Sequence, residues 1–240
     1  MSDKPLSRVA VALDTADRSE LSRWAAYFGP RVGVLKVGLE AFVRWGPEVV
    51  DEVRQRAAAV FLDLKLHDIP NTVAGAVAGA ERAEVDYLTV HAAGGRPMLA
   101  AAVAAAKRVR LLAVTLLTHL DAATLAELDL AGDGRQRVRS WTGLARRAGC
   151  GGAVCSPLEV AELRVAAPSS FLLVTPGIRF GGGPEAGGGE DQRRVATPGA
   201  ALAAGADLLV LGRPLTRAED PGRALAELEE ALRIAAGPVG

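Results

Sequence analysis

The chain lacks an excess of charge of either sign, and it has no long apolar segment near its first residue. Its 28 basic and 28 acidic side chains give a formal net charge of zero. This balance argues against the basic face that a protein needs to bind nucleic acids or anionic membrane surfaces. The apolar run that follows residues 1–5 ends at Asp14, so it is too short for a signal peptide or a membrane span. We therefore expect a cytoplasmic protein that binds neither nucleic acid nor a membrane.

Metal and cofactor motifs are also missing. The spacing of Cys150 and Cys155 matches no common zinc or redox motif, and we expect both to be reduced structural residues. The three histidines, His67, His91 and His119, show no metal-ligand spacing. No Ser/His/Asp or Cys/His set stands out, and no Gly-x-Gly-x-x-Gly motif follows the first predicted strand. The sequence predicts that the protein uses neither a metal nor a cofactor.

Lysine is scarce in a chain rich in arginine. Only four of the 28 basic residues are lysines, at positions 4, 36, 65 and 107. Lys36 and Lys65 stand near the ends of predicted strands, and lysine differs from arginine in being a compact cation that can release its proton. Asp63 and Lys65 are two residues apart in one strand, so their side chains project to the same face. Because burying such a pair is costly, we interpret it as functional; the alternative is a solvated ion pair on an exposed edge strand.

Short β-rich apolar runs alternate with alanine-rich helical patterns along the chain. The predicted strands are residues 9–14, 32–38, 60–66, 87–92, 111–117, 152–156, 171–177 and 208–212. The predicted helices include residues 19–28, 47–57, 73–83, 97–107, 157–166 and 224–234, with an extra short helix within residues 121–149. This alternation predicts an α/β protein, a single (β/α)8 TIM-barrel domain over residues 1–240. A doubly wound open sheet is the second choice.

Polar residues follow the predicted strands at one end of this barrel. Active sites of such barrels lie at the carboxyl ends of the strands, where the chain has Asp14, Lys36, Asp63, Lys65, His91, Thr118, Pro176, Arg179 and Arg213. The loops after the last two strands often bind phosphate, and here they contain Gly177 with Arg179 and Gly212 with Arg213. The glycine-rich residues 179–192 predict a lid that closes over the ligand, although their composition also fits a flexible linker.

The run at residues 63–72, DLKLHDIPNT, resembles the signature of the orotidine 5′-monophosphate decarboxylase family. The resemblance extends over essentially the whole chain, in the family's order, through VALD at 11–14, LKVG at 35–38, VHAAGG at 90–95, AVTLLT at 113–118, VTPGIR at 174–179, DQRR at 191–194 and LGRP at 211–214. It implies cofactor-independent decarboxylation of orotidine 5′-monophosphate to uridine 5′-monophosphate, the last step of de novo pyrimidine nucleotide synthesis.

The resemblance also implies roles for individual residues. The catalytic residues would be Lys36, Asp63, Lys65 and Asp68, with Lys65 as the proton donor. Lys36 would also hold the ribose together with Asp14. Asp68 and Thr72 would enter the neighbouring subunit's site, which implies a homodimer. The other substrate-binding residues would be Thr118 at the pyrimidine edge, Gln192 between base and phosphate, Pro176, and the phosphate ligands Arg179, Gly212 and Arg213.

Three alternatives stay open at this point. A related phosphosugar decarboxylase or aldolase of the same barrel group can share an Asp-x-Lys-x-x-Asp core, but such enzymes usually rely on a metal or a different base. A lyase could form a Schiff base on Lys36 or Lys65. A non-catalytic nucleotide-binding barrel would keep the arginines, but it would have no reason to keep Lys65 between two acids.

Overall fold

The computed structural model describes residues 5–130, 132–180 and 195–236 of the chain. Eight parallel strands close into a barrel in which each strand pairs with the next along the chain and the last pairs with the first. The strands are β1 (Val9–Ala12), β2 (Val34–Gly38), β3 (Val60–Leu66), β4 (Tyr87–His91), β5 (Arg110–Val114), β6 (Gly152–Val154), β7 (Leu172–Thr175) and β8 (Leu208–Leu211). The predicted (β/α)8 barrel is confirmed, and a doubly wound open sheet is ruled out by the closed ring of pairings.

Helices connect the strands, and short helices also occur in the loops. The helices are α1 (Arg18–Phe28), α2 (Leu39–Trp45), α3 (Pro47–Arg54), α4 (Pro70–Arg82), α5 (Gly95–Ala105), α6 (Ala122–Glu127), α7 (Gly134–Ala148), α8 (Val160–Ala166), α9 (Pro198–Ala203), α10 (Arg213–Thr216) and α11 (Pro221–Ala236). Short 3-10 segments form at Pro5–Arg8 and Ala92–Gly94. Both α6 and α7 lie within residues 121–149, where the sequence predicted an extra helix.

Capping residues and prolines set where several helices begin. The side chain of Asp17 accepts hydrogen bonds from the first backbone N–H groups of α1, and Asp121 and Asp133 cap α6 and α7 in the same way. Proline suits the first turn of a helix because that position has no N–H partner to lose. For this reason α4 begins at Pro70, earlier than the predicted start at residue 73.

The period-two alternation of the strands produces two apolar cores. Side chains on one face fill the barrel interior, namely Ala10, Val34, Phe61, Leu112, Leu172, Val174 and Leu208. Side chains on the other face pack against the surrounding helices in a larger core. The next inward positions on the first three strands, two residues further along, are Ala12, Lys36 and Asp63. The strand period therefore places charged side chains directly above the apolar interior, at the carboxyl end of the barrel.

Several strands end earlier than the sequence predicted. β1 ends at Ala12 rather than at residue 14, and β5 ends at Val114 rather than at residue 117. One residue beyond each of these points still bonds to the neighbouring strand, Leu13 N–H to the Lys36 carbonyl at 3.0 Å and Thr115 N–H to the Val154 carbonyl at 3.4 Å, and the chain then leaves the sheet. Asp14 and Thr118 consequently lie on loops at the mouth of the barrel. Within the described ranges, no helix is both long enough and apolar enough to cross a membrane.

Candidate active site

Four charged side chains of alternating sign form a row across the carboxyl ends of β1, β2 and β3. The Lys36 ammonium lies 3.2 Å from Asp14 Oδ1 and 3.5 Å from Asp63 Oδ2. The Lys65 ammonium lies 2.8 Å from the same Asp63 oxygen. We call Asp14, Lys36, Asp63 and Lys65 the four-charge row. The prediction that Asp63 and Lys65 project together is confirmed by their contact.

The centre of the four-charge row is shielded from water. The side chains of Lys36 and Asp63 are only 8% and 13% exposed. Burial by itself lowers the pKa of Lys36, but the carboxylates of Asp14 and Asp63 outweigh burial and raise that pKa above its ordinary value. Burial by itself raises the pKa of Asp63, but Lys36, Lys65 and two side-chain hydrogen bonds outweigh it and lower that pKa. Lys36 and Asp63 are therefore both charged at neutral pH, and each stabilises the other's charge.

The backbone of Lys65 departs from a regular strand. Its φ angle is +51°, which lies in the left-handed region that residues other than glycine rarely adopt. The pairing of β3 with β4 shifts register between Leu62 and Leu66, so β3 bulges in the segment that carries Asp63 and Lys65. The regular strand that the sequence predicted over residues 60–66 is therefore interrupted at its functional end, where strained backbone is often found.

Gly38, the last residue of β2, makes room for the four-charge row. A Cβ atom at this position would lie 2.3 Å from Asp14 Oδ1 and 3.1 Å from Lys36 Nζ. Because the first distance is far below van der Waals contact, any side chain here would push Asp14 away from Lys36. The glycine is thus required by the close approach of the ion pair.

The four-charge row lines part of a cavity of about 470 Å³ at the mouth of the barrel. The loops after β7 and β8 form another part of its wall and contribute predicted anion-binding residues. A cavity of this size suits a small-molecule ligand. The structure brings together around it most of the predicted site: Asp14, Lys36, Asp63, Lys65, Thr118, Pro176, Arg179, Gly212 and Arg213.

Two predicted site residues within the described ranges, Asp68 and Thr72, are not part of this cavity wall. Asp68 and Thr72 are exposed, the first in the loop after β3 and the second in the first turn of α4. The Asp68 carboxylate accepts a hydrogen bond from the backbone N–H of Ile69 at 2.6 Å, and Ile69 itself is 67% exposed. Gln192 lies outside the described residues, as does the predicted lid at residues 179–192 except for Arg179 and Phe180.

Thr89 and Arg217 are among the residues near the site that sequence reasoning missed. The hydroxyl of Thr89 in β4 donates a hydrogen bond to Asp63 Oδ1 at 2.9 Å and accepts one from the backbone N–H of Lys65 at 2.8 Å. Threonine is common in strands, so nothing in the local pattern identifies it. Arg217 also lines the cavity, and its position four residues after Arg213 was a usable signal, since that spacing places side chains on one helical face.

Two histidines lie beside the four-charge row. The ring centroids of His67 and His91 are 5.4 Å apart. Burial lowers the pKa of His91, and the nearby His67 and Lys65 lower it further, so His91 is neutral at pH 7. In the described part of the chain, no group of three His, Cys, Asp or Glu side chains is placed to hold a metal ion.

Comparisons with known proteins point to one family. The model of the orotidine 5′-phosphate decarboxylase / HUMPS family matches residues 7–228. The chain is 53% identical to the orotidine 5′-phosphate decarboxylase of Thermobifida fusca, over 94% of this chain and 95% of that protein. It is 49% identical to the protein of the same name from Halorhodospira halophila, over 95% and 96% of the two chains.

Solved structures agree as well. The crystal structure of orotidine 5′-phosphate decarboxylase from Lactobacillus acidophilus superposes with a TM-score of 0.80 at 34% identity, over 93% of this chain and 98% of that chain. The corresponding structure from Pyrococcus horikoshii has a TM-score of 0.76 at 20% identity, over 94% and 99% of the chains. At that identity the second structure supports the fold alone.

Proposed function

Because this chain belongs to the orotidine 5′-phosphate decarboxylase / HUMPS family, we propose that its four-charge row carries out that family's decarboxylation without a cofactor. The chain is a carboxy-lyase that converts orotidine 5′-monophosphate to uridine 5′-monophosphate in pyrimidine biosynthesis. One observation carries the assignment of the chemistry to particular residues. Two lysines and two aspartates alternate along one wall of a cavity that also contains arginines suited to a phosphate.

The reaction needs electrostatic stabilisation more than it needs a reactive group. Loss of carbon dioxide from C6 of the pyrimidine leaves an electron pair on a carbon with no neighbouring group to delocalise it. A fixed positive charge beside C6 stabilises that electron pair in the transition state without having to reorganise. We propose that the Lys65 ammonium is this charge and then transfers a proton to C6, whereas an arginine would not readily release one.

Asp63 has two roles in this proposal. Its carboxylate holds the Lys65 ammonium at 2.8 Å, which fixes the position of the proton donor before substrate binds. Its negative charge also stands where the substrate's own carboxylate is expected, so the two carboxylates repel each other until carbon dioxide leaves. Lys36, 3.5 Å from the same Asp63 oxygen, keeps Asp63 ionised. We propose that Lys36 and Asp14 bind the hydroxyl groups of the ribose.

The phosphate of the substrate is assigned to the loops after β7 and β8. Arg179, Gly212 and Arg213 line the same cavity as the four-charge row. Each guanidinium group can bind phosphate oxygens in a bidentate manner, and the glycine allows the backbone to approach the anion. Binding energy gained at the phosphate, away from the bond that breaks, can be used to hold the pyrimidine against Lys65. Thr118 and Pro176 are assigned to the pyrimidine side of the cavity.

We also propose that the active protein is a homodimer with shared sites. Asp68 and Thr72 are exposed and lie outside the cavity of their own chain, beside the exposed apolar side chain of Ile69. In a two-fold dimer, the segment after β3 of one subunit could reach the cavity of the other. Asp68 would then approach Lys65 of the neighbouring subunit. The lid at residues 179–192 and the cytoplasmic location stay predictions.

The direct test is to mix the purified chain with orotidine 5′-monophosphate, follow the change in ultraviolet absorbance, and identify the product by chromatography. We expect stoichiometric conversion to uridine 5′-monophosphate. A folded protein that binds the nucleotide but does not convert it would instead support the non-catalytic barrel.

Subunit mixing tests the shared site. Lys65→Ala and Asp68→Ala homodimers should each be inactive. Random exchange at equal concentrations makes about half the dimers mixed, and each mixed dimer has one intact site and one doubly defective site, so activity should return to about one quarter of wild type. If verified heterodimers remain inactive, Lys65 and Asp68 act within one subunit and the shared-site proposal is wrong.

A further inference from the structure

The hydroxyl of Thr89 forms hydrogen bonds with two members of the four-charge row, although Thr89 itself does not line the cavity. Thr89 lies in the middle of β4 and is fully buried. Its oxygen accepts a hydrogen bond from the Lys65 backbone N–H at 2.8 Å, and its proton is donated to Asp63 Oδ1 at 2.9 Å. Thr89 is absent from the residues that line the cavity, so any influence on the reaction passes through Asp63 and Lys65.

The first of these hydrogen bonds compensates for the bulge in β3. Leu62 pairs with Leu88 and Leu66 pairs with Val90, so β3 has more residues than β4 in this interval and its ladder is interrupted. The Lys65 N–H therefore bonds to a side chain instead of a strand carbonyl. Without that partner, a partly buried N–H group would be left unsatisfied in a residue whose φ angle of +51° is already unfavourable.

The second hydrogen bond fixes the rotation of the Asp63 carboxylate. Both ammonium groups contact Oδ2, Lys65 at 2.8 Å and Lys36 at 3.5 Å. In the described part of the chain, Oδ1 is held by Thr89 alone. Rotation about the Cβ–Cγ bond moves both oxygens, so the hydrogen bond on Oδ1 resists that rotation together with the two ammonium contacts on Oδ2. The hydroxyl thus orients the negative charge that faces both lysines.

We propose that Thr89 is a positioning residue for the proposed decarboxylation, holding the Lys65 backbone and the Asp63 carboxylate in one fixed relation. The inference rests on the proposed function, because it assigns Asp63 and Lys65 to the chemistry. A positioning role of this kind affects the transition state more than the bound ground state, since the proton donor must be aligned only when the carbanion forms.

The test compares Thr89→Val, which keeps the shape but removes the hydroxyl, with Thr89→Ser, which keeps the hydroxyl. We expect kcat to fall about tenfold to about a hundredfold in the valine variant, with serine within about threefold of wild type; a tenfold change corresponds to about 1.4 kcal/mol. Inhibition by uridine 5′-monophosphate should change little in either variant. Thr142→Val is the matched control, because Thr142 is also buried and its hydroxyl has no hydrogen-bond partner within the described ranges.

A second measurement tests the same contact without relying on activity. Hydrogen exchange at the Lys65 amide should be slow in wild type and in Thr89→Ser, and faster in Thr89→Val. Thr89→Ala, which adds no methyl group against Asp63, takes the place of the valine variant if that variant does not fold. An unchanged kcat or an unchanged Lys65 exchange rate in a folded variant without the hydroxyl would overturn the inference. A wild-type protein without decarboxylase activity would instead refute the proposed function, and the exchange rates would still decide whether Thr89 holds Lys65.

Discussion

Replacing Lys65 with alanine should abolish most of the catalytic rate while sparing the binding of product. The Lys65 ammonium is held 2.8 Å from an anionic oxygen. We use this distance for the approach of the ammonium to the carbanion at C6. A unit negative charge at that separation is stabilised by about 6 kcal/mol at an effective dielectric constant of about 20. The side chain is 36% exposed, so we reduce this value for solvent screening to about 4 kcal/mol. Since about 1.4 kcal/mol corresponds to tenfold in rate, kcat should fall at least about 10³-fold, and the loss of the proton donor would lower it further.

The assay is the loss of orotidine 5′-monophosphate absorbance under saturating substrate, with inhibition by uridine 5′-monophosphate measured in parallel. Product inhibition should change by less than about tenfold, because the ammonium acts mainly in the transition state. Lys107→Ala is the control: Lys107 is exposed and away from the cavity, so its removal should leave kcat unchanged. A folded Lys65→Ala protein with kcat within about tenfold of wild type would refute the electrostatic reasoning.

Other consequences of the site can be checked independently. Activity should survive exhaustive chelation, and borohydride added with substrate should trap no adduct on Lys36 or Lys65; restoration by a divalent metal would favour the phosphosugar enzymes, and a trapped adduct would favour the Schiff-base lyase. Burial raises the pKa of the Cys150 thiol to about 12 and also raises that of Cys155, so neither should react with a maleimide at neutral pH until the protein unfolds, and rapid labelling of the native protein would show that the thiols are accessible. The lowered pKa of Asp63 contributes stability that is present above its ordinary value of 3.8 and is lost as the pH falls below it. The raised pKa of Lys36 contributes stability that is present below 10.5 and is lost at higher pH. Between these limits neither residue should add a pH dependence to the free energy of unfolding, whereas the lowered pKa of His91 should make stability fall as the pH drops below 6.5. A steep change in denaturant unfolding between about pH 7 and about pH 8 would argue against these ionisation states.

Much of the fold and the site follows from local sequence rules. The strand period identifies Asp63 and Lys65 as neighbours on one face, and barrel topology then gathers Asp14 and Lys36 at the same end. These predictions succeed because a closed barrel converts strand order into spatial order. A charged residue two positions beyond an inward apolar residue must point into the mouth of the barrel.

Other features depend on contacts between strands and could not be predicted in this way. The left-handed backbone of Lys65 arises from a mismatch in length between β3 and β4, and no single strand contains that information. Thr89 looks like an ordinary strand residue until Asp63 lies beside it. The start of α4 is different, because the proline at position 70 was a usable local signal.

The closed barrel places the two tasks of the site on separate stretches of the chain. The proposed reactive charges come from residues 14–65 and the arginines proposed to bind phosphate from residues 179–213. The two stretches meet where β8 pairs with β1, from Val9 with Leu209 to Val11 with Leu211. We call this β8–β1 pairing the seam, because it separates a part of the barrel that evolution can exchange from the part that it can keep. Recombination that exchanged the last two strands and their loops could give the barrel a new anchoring group for a different ligand while the inherited reactive half stayed intact. The register of the seam would then determine how well the new anchor is aligned with the old chemistry.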